Sequence, residues 1–278
     1  MPAATSHERV GARRMSDIPP RILAQLNRGE IEARTLVEGL AIDFCRLLRA
    51  VAPRLPKPST DLMHAAREEG ITRRMELAGR LLLAHFGPPG YLQLSRHRSD
   101  TVRSWAAFLL AASPDFTLGE RLHLVRPLAN DHNSGVREWA WLAMRQHVAA
   151  NVELAIDLLE AWTVSVSPFQ RRFASEATRP RGVWCARIKP LVDRPELGLR
   201  ILEPLRADPH RYVQDSVANW LNDAAKSQPL FVRGLCDRWR KESANEFTER
   251  ICRRALRNQQ DRTGAISTLS SRPVNICH

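Results

Sequence analysis

Residues 99–112, SDTVRSWAAFLLAA, are the first of four copies of one sequence phrase. The other copies are NSGVREWAWLAMRQ at 133–146, SPFQRRFASEATRP at 167–180 and DPHRYVQDSVANWL at 208–221. Each copy begins with turn-forming residues and continues into apolar residues at helical spacing. The positions that coincide when the copies are superposed are Val102, Val136, Gln170 and Val213. The intervals between these positions are 34, 34 and 43 residues.

Repeats of this length with helical patterns are typical of stacked helix pairs, because one pair cannot bury its apolar face alone. We therefore predict an all-α, HEAT-like helical-repeat solenoid with a concave basic face over residues 19–258. Residues 1–18 are predicted to form a disordered basic tail, and residues 259–278 a second disordered tail, because neither segment continues the pattern.

The longer third interval indicates an insertion of about nine residues between the third and fourth repeat helices. It falls within TRPRGVWCA, residues 178–186. Insertions in regular arrays are where repeat proteins often place function. Arg179 and Arg181 are therefore candidate DNA contacts.

The charge of the chain indicates what such a surface binds. There are 42 Lys+Arg against 30 Asp+Glu, a formal net charge of +12 and a pI near 10.6. Almost all the basic residues are Arg, whose planar fork suits phosphates and guanine edges. This favours nucleic-acid binding, although a basic protein with a merely solvated surface has the same composition.

Several classes of protein are not expected from this sequence. No apolar stretch reaches the ~18 residues of a membrane span, and the N-terminus lacks the apolar region of a secretory signal. The cysteines are scattered without a metal-binding spacing, which indicates reduced thiols in the cytoplasm and no zinc site. We expect no metal and no cofactor. The cysteines are Cys45, Cys185, Cys236, Cys252 and Cys277.

Acidic residues are rare in the third repeat. From Ser167 to Lys189 there are six basic residues, and Glu176 is the only acid. It is therefore either the ion-pair partner of Arg172 at i, i+4 or a group that takes part in the chemistry. On the fourth repeat helix, Asp215 and Asp223 lie on a polar stripe. Superposition makes Glu138 equivalent to Arg172 and Asp215.

The remaining candidate site residues are tryptophans and a group of four arginines. Trp139 aligns with Trp105 and Phe173 and is predicted to be core, as is Trp220. Trp141 and Trp184 are out of that register and are predicted to form an exposed stacking wall. Near the end of the chain, four arginines share one helix face, which is either a phosphate contact or a solvated helix end. They are Arg250, Arg253, Arg254 and Arg257.

Carboxylates and tryptophans within a basic cleft suit one chemistry. Two acids stabilise an oxocarbenium-like sugar or activate water, and aromatic faces attract a cationic base. Together they indicate an N-glycosylase acting on alkylated bases. A non-catalytic nucleic-acid-binding HEAT-repeat protein would show the same pattern, and a protein-binding scaffold is a further alternative.

Five sequence segments resemble the DNA alkylation repair glycosylases of the AlkC type, HEAT-like relatives of the AlkD family. The resemblance covers roughly residues 20–258 in order. Its most specific strings are RRFASEATRPRGVW and VANWLND. The segments are GEIEARTLVEGLAIDF (29–44), REWAWLA (137–143), RRFASEATRPRGVW (171–184), RYVQDSVANWLND (211–223) and ERICRRALR (249–257).

This resemblance implies excision of cationic alkylated bases, such as 3-methyladenine and 3-methylcytosine, without a deep base-flipping pocket. It implies that Glu176 is the main catalytic carboxylate and Asp223 its partner. Arg172 would orient Glu176 or contact the DNA backbone, and Trp184 would form part of the lesion wall. Some members of the family carry a C-terminal immunoglobulin-like domain. We expect none here, and hence more reliance on the arginine face at 250–257.

The sequence is therefore interpreted as a DNA N-glycosylase of the 3-methyladenine type. We expect a monofunctional hydrolase, because RRFASEATRPRGVW holds no lysine that could form a Schiff base. The expected partner is double-stranded DNA with alkylated bases. We expect no membrane association, and we expect the protein to be a monomer. Glu138, Trp141 and Asp215 are further candidate contacts to the substrate or DNA.

Overall fold

A computed structural model describes residues 9–258 of the chain. All regular elements in this range are helices, and none of residues 9–258 lies in a strand. The predicted all-α fold is thus confirmed. No helix in the described range is long and apolar enough to cross a membrane. The chain divides into two compact units, with the boundary between Met144 and Arg145.

Within residues 9–144, the first unit contains eight complete α-helices and the start of a ninth. They are α1 Pro20–Asn27, α2 Leu36–Leu40, α3 Phe44–Val51, α4 Lys57–Ala65, α5 Ile71–Phe86, α6 Gly90–Leu94, α7 Asp100–Ala112, α8 Leu118–Ala129 and α9 Ser134–Ala150. Short 3-10 turns occur at Met15–Asp17 and Ala66–Glu68. The helix α7 packs against α5, α6 and α8. Its residues 100–111 are all buried, so α7 forms the centre of this unit.

The second unit begins inside α9, and its described part, residues 145–258, continues through seven further α-helices. They are α10 Val152–Glu160, α11 Pro168–Ala177, α12 Lys189–Asp193, α13 Leu199–Leu202, α14 Arg211–Ala225, α15 Pro229–Glu242 and α16 Glu246–Ala255. Two 3-10 turns flank α13, at Pro195–Gly198 and Glu203–Leu205. The helix α14 packs against α11, α15 and α16. Its apolar face is fully buried, with Trp220 at its centre.

The four repeated phrases form α7, α9, α11 and α14, as the superposition predicted. In α7, α11 and α14 a turn residue acts as the helix cap, because its side-chain acceptor satisfies otherwise unpaired N–H groups of the first turn. Ser99 accepts from Val102 N, and Ser167 accepts from Phe169 N. His210 takes this role before α14.

One arginine recurs at the same place in three of the phrases. Arg103, Arg137 and Arg171 each donate through Nη1 to the carbonyls six and five residues earlier in the chain. The distances from Nη1 to these oxygens run from 2.6 to 3.2 Å. Each arginine therefore ties its helix to the preceding loop.

The folded region begins earlier than the predicted start at residue 19. The Glu38 carboxylate is fully buried and accepts from Arg9 Nη1 at 2.6 Å, Ala12 N at 2.9 Å and Arg34 N at 2.8 Å. A buried carboxylate needs such donors, and here the segment assigned to the tail supplies two of them. The other tail residues, 1–8 and 259–278, lie outside the described residues.

Candidate active site

Two carboxylates of the second unit are joined by one guanidinium. Glu176 lies on the last turn of α11, and Asp223 lies on α14. Arg179 Nη1 donates to Glu176 Oε2 at 3.0 Å, and Arg179 Nη2 donates to Asp223 Oδ2 at 2.6 Å. Glu176 is 2% exposed and Asp223 is 5% exposed. The two acids selected from the sequence are therefore buried in one cluster.

Further cations approach the same carboxylates. Arg172 Nη2 lies 3.4 Å from Glu176 Oε1, so the i, i+4 ion pair considered from the sequence is present. The Arg172 guanidinium also stacks on the Tyr212 ring, 4.1 Å from its centre. On the other side, Lys226 Nζ donates to Asp223 Oδ1 at 2.8 Å. Each of the two carboxylates thus contacts two cations.

The electrostatics of the cluster keep Arg179 charged. Burial lowers the pKa of Arg179, but the Glu176 and Asp223 carboxylates outweigh burial and raise its pKa overall. Removing one partner of such a buried group would leave an uncompensated charge, which is strongly destabilising. The arrangement therefore fixes the position of both carboxylates relative to Arg179.

A buried arginine that the sequence analysis missed holds the adjoining loop. Arg145, on α9, donates to the backbone carbonyls of Ala177, Arg179 and Ala186. The shortest of these hydrogen bonds, to Arg179 O, is 2.6 Å. Burial lowers the pKa of Arg145. No local pattern could have revealed it, because its partners lie 32 to 41 residues away in the chain.

The predicted insertion forms an irregular loop between α11 and α12. Ile188 N donates to Pro180 O at 3.0 Å and closes the loop at its base. Trp184 is 51% exposed near its tip, in agreement with its predicted accessibility. Its φ of 61° is in the left-handed region, which is strained for a bulky residue. Such strain persists only where the surrounding structure imposes it.

Trp141 is not an exposed stacking surface, contrary to the prediction. It is 4% exposed, and its Nε1 donates to Glu138 Oε2 at 2.8 Å within the first unit. Trp139, predicted to be core, is instead partly exposed. Residues 140–144 are all buried, so this part of α9 has no single apolar face. An assignment based on one face therefore fails there.

The arginine face at 250–257, which lies on α16 and the turn that follows it, is turned partly onto α14. Asp215 Oδ1 accepts from Arg250 Nη2 at 2.7 Å and lies 3.0 Å from Arg254 Nε. Arg257 Nη2 donates to Asn219 Oδ1 at 3.1 Å, whereas Arg253 is exposed. Asp215 thus belongs to this second charged group and is not a partner of Arg179 among the described contacts.

Two features of the site remain: the position of Arg181 and the capacity to bind a metal ion. Arg181, in the loop, donates through Nη2 to Ser227 Oγ, just after α14. Within residues 9–258, no three His, Cys, Asp or Glu side chains are grouped so that they could hold a metal ion.

The fold and these side chains define a helical-repeat protein with a buried pair of carboxylates and an arginine-rich surface. A sequence profile of the family described as "DNA alkylation repair enzyme" matches residues 93–258. This match covers more than half of the chain, so the protein belongs to that family.

The chain is also similar to a curated protein and to solved structures. The uncharacterized protein YhaZ of Bacillus subtilis is 40% identical over 97 residues, which are 35% of this chain and 27% of YhaZ. The structure of the Pseudomonas fluorescens alkylpurine DNA glycosylase AlkC, bound to DNA containing an abasic site analog, is similar with a TM-score of 0.63. The two proteins are 24% identical, over 90% of this chain and 66% of AlkC.

A second similar structure is AlkD2 from Streptococcus mutans. It has a TM-score of 0.54 and 20% identity, over 71% of this chain and 97% of AlkD2. At this level of identity, both structural similarities establish the HEAT-like helical-repeat fold.

Proposed function

We propose that this protein is a DNA N-glycosylase that excises cationic alkylated bases, with 3-methyladenine and 3-methylcytosine as substrates. The observation that carries the proposal is the pair of buried carboxylates, Glu176 and Asp223, joined by Arg179. Membership of the alkylation repair family and the similarity to AlkC support it.

The proposed excision reaction depends mainly on electrostatic stabilisation of the transition state. A base that carries a positive charge is already a good leaving group, so no side chain has to protonate it. As the glycosidic bond breaks, positive charge develops on the sugar, and a fixed carboxylate stabilises that charge. Water then adds to the sugar carbon, and a carboxylate accepts the proton. Glu176 is assigned the main electrostatic role and Asp223 the assisting role.

The surrounding residues have distinct roles in this proposal. Arg179 holds both carboxylates in place, and Arg172 orients Glu176 from the side of Tyr212. Trp184 presents an exposed aromatic face that attracts a cationic base. Exposed arginines contact DNA phosphates, in keeping with a net charge of +12.

The alternative is a DNA-binding protein without catalytic activity. One experiment separates the two: purified protein is incubated with methylated duplex DNA, and the free base is measured by chromatography. Release of 3-methyladenine above the spontaneous rate is expected of the enzyme. Tight DNA binding without base release would support the alternative.

A further inference from the structure

Lys226 holds a distinct position in the carboxylate cluster. Its ammonium donates to Asp223 Oδ1 at 2.8 Å, while the other oxygen of Asp223 is occupied by Arg179. The Lys226 side chain is 51% exposed, against 12% for Arg179 and 11% for Arg172. Of these three cations, Lys226 is therefore the one that a ligand in solvent can reach.

The other two cations are fixed where they are. Arg179 contacts both carboxylates, so its departure would leave two buried charges without that partner. Arg172 is held between Glu176 and the face of Tyr212. A half-exposed lysine pair at i, i+3 is weak by comparison and is readily exchanged for another anion.

A second cation contacts the residue that follows Lys226 in the chain. Arg181 Nη2 donates to the hydroxyl of Ser227, the residue after Lys226. The hydroxyl hydrogen of Ser227 remains available as a donor to another acceptor. An ammonium, a guanidinium and a hydroxyl at one end of α14 are the groups that bind a phosphodiester.

We propose that Lys226 binds a DNA backbone phosphate, with Arg181 and Ser227 beside it, and that its ammonium leaves Asp223 when DNA binds. The exchange frees Asp223 Oδ1 to face the sugar on which positive charge develops, while Arg179 keeps the carboxylate in place. DNA binding and the exposure of the assisting carboxylate are then one event. This inference rests on the proposed glycosylase function, but its binding step can be measured without it.

The test compares Lys226→Met, which removes the charge, with Lys226→Arg, which retains it. Lys241→Met is the matched control, because Lys241 is an exposed lysine of the same unit, on α15. Circular dichroism establishes that each variant is folded. Affinity for an undamaged duplex is measured over a range of salt concentrations. A single-turnover excision rate is measured over a range of methylated DNA concentrations up to saturation.

For Lys226→Met we expect several-fold weaker DNA binding and a log–log salt slope reduced by about 0.9, the value for one lost phosphate contact. The DNA concentration that half-saturates excision should rise several-fold as well, because the substitution removes a group that binds DNA. Lys226→Arg and Lys241→Met should keep the wild-type slope.

An unchanged slope for Lys226→Met, or the same loss of slope for Lys226→Arg, would overturn the phosphate contact. A more than tenfold loss of the saturated rate would overturn the exchange, because Lys226 would then be needed to hold Asp223. If the wild type releases no base at all, the proposed function fails, whereas the salt slope still decides the phosphate contact.

Discussion

Arg179 and Asp223 are joined by two hydrogen bonds to a single carboxylate oxygen. Nε and Nη2 of Arg179 lie 3.0 and 2.6 Å from Asp223 Oδ2, although the two residues are 44 positions apart in the chain. The loop after α11 is thereby tied to α14. Because Arg179 also binds Glu176, the relative position of the two carboxylates depends on this contact.

The first prediction separates Asp223 from Asp215. Asp223 is buried beside Arg179, whereas Asp215 pairs with Arg250 and Arg254. Asp223→Asn should lower the single-turnover excision rate by about one to three orders of magnitude, because it removes a charge near the developing sugar cation. Asp215→Asn serves as the matched control and should change the rate little. A larger loss for Asp215→Asn in a folded protein would reverse the two roles.

The second prediction concerns the arginine face at 250–257, on α16 and the turn that follows it. Arg253 and Arg257 are the two most exposed of its four arginines. Replacing both by alanine should weaken binding equally for different DNA sequences and reduce the salt slope by roughly one unit per lost contact. Affinity measured against salt concentration checks this. A slope equal to that of the wild type would assign the face to a solvated helix end.

The third prediction concerns stability and pH. Burial raises the pKa of Asp100 to about 6, although Ala33 N donates a hydrogen bond to it at 3.1 Å. A raised folded-state pKa contributes stability below the unfolded value of 3.8, and this contribution is lost as the pH rises through about 6. Asp100→Asn keeps the acceptor without the charge. The difference in unfolding free energy, Asp100→Asn minus wild type, should therefore increase by up to about 3 kcal/mol between pH 4 and pH 8.

Urea unfolding at pH 4 and pH 8 measures this difference. An advantage of Asp100→Asn that is the same at both pH values would contradict the assignment of the titration to Asp100.

The fourth prediction concerns the choice of lesion. A site that stabilises the sugar and presents Trp184 to a cation selects bases by charge and by leaving-group ability. Duplexes with a single 3-methyladenine or 3-methylcytosine should release the base. Duplexes with uracil, hypoxanthine or 8-oxoguanine should not, because these neutral bases need protonation or a fitted pocket. Efficient release of uracil or hypoxanthine would show that a base-reading pocket exists.

The sequence predicts the repeat architecture well, since Val102, Val136 and Val213 recur at helical positions that are all buried. The burial of Trp141 was missed, because a pattern argument assumes that a helix has one apolar face. Arg145 and Lys226 were also missed. Their roles depend on partners brought together by packing or on which cation stays exposed, and neither property is encoded in local spacing.

The central claim, that Glu176 carries catalysis, is tested most directly by the single-turnover release of 3-methyladenine from methylated duplex DNA. Glu176→Gln removes the charge that stabilises the sugar cation. It should keep most of the DNA affinity and lose about two to four orders of magnitude in rate. Asp208→Asn, which removes another buried partner of an arginine in the same unit, is the control for general damage to the fold. A Glu176→Gln rate close to that of the wild type would contradict the account.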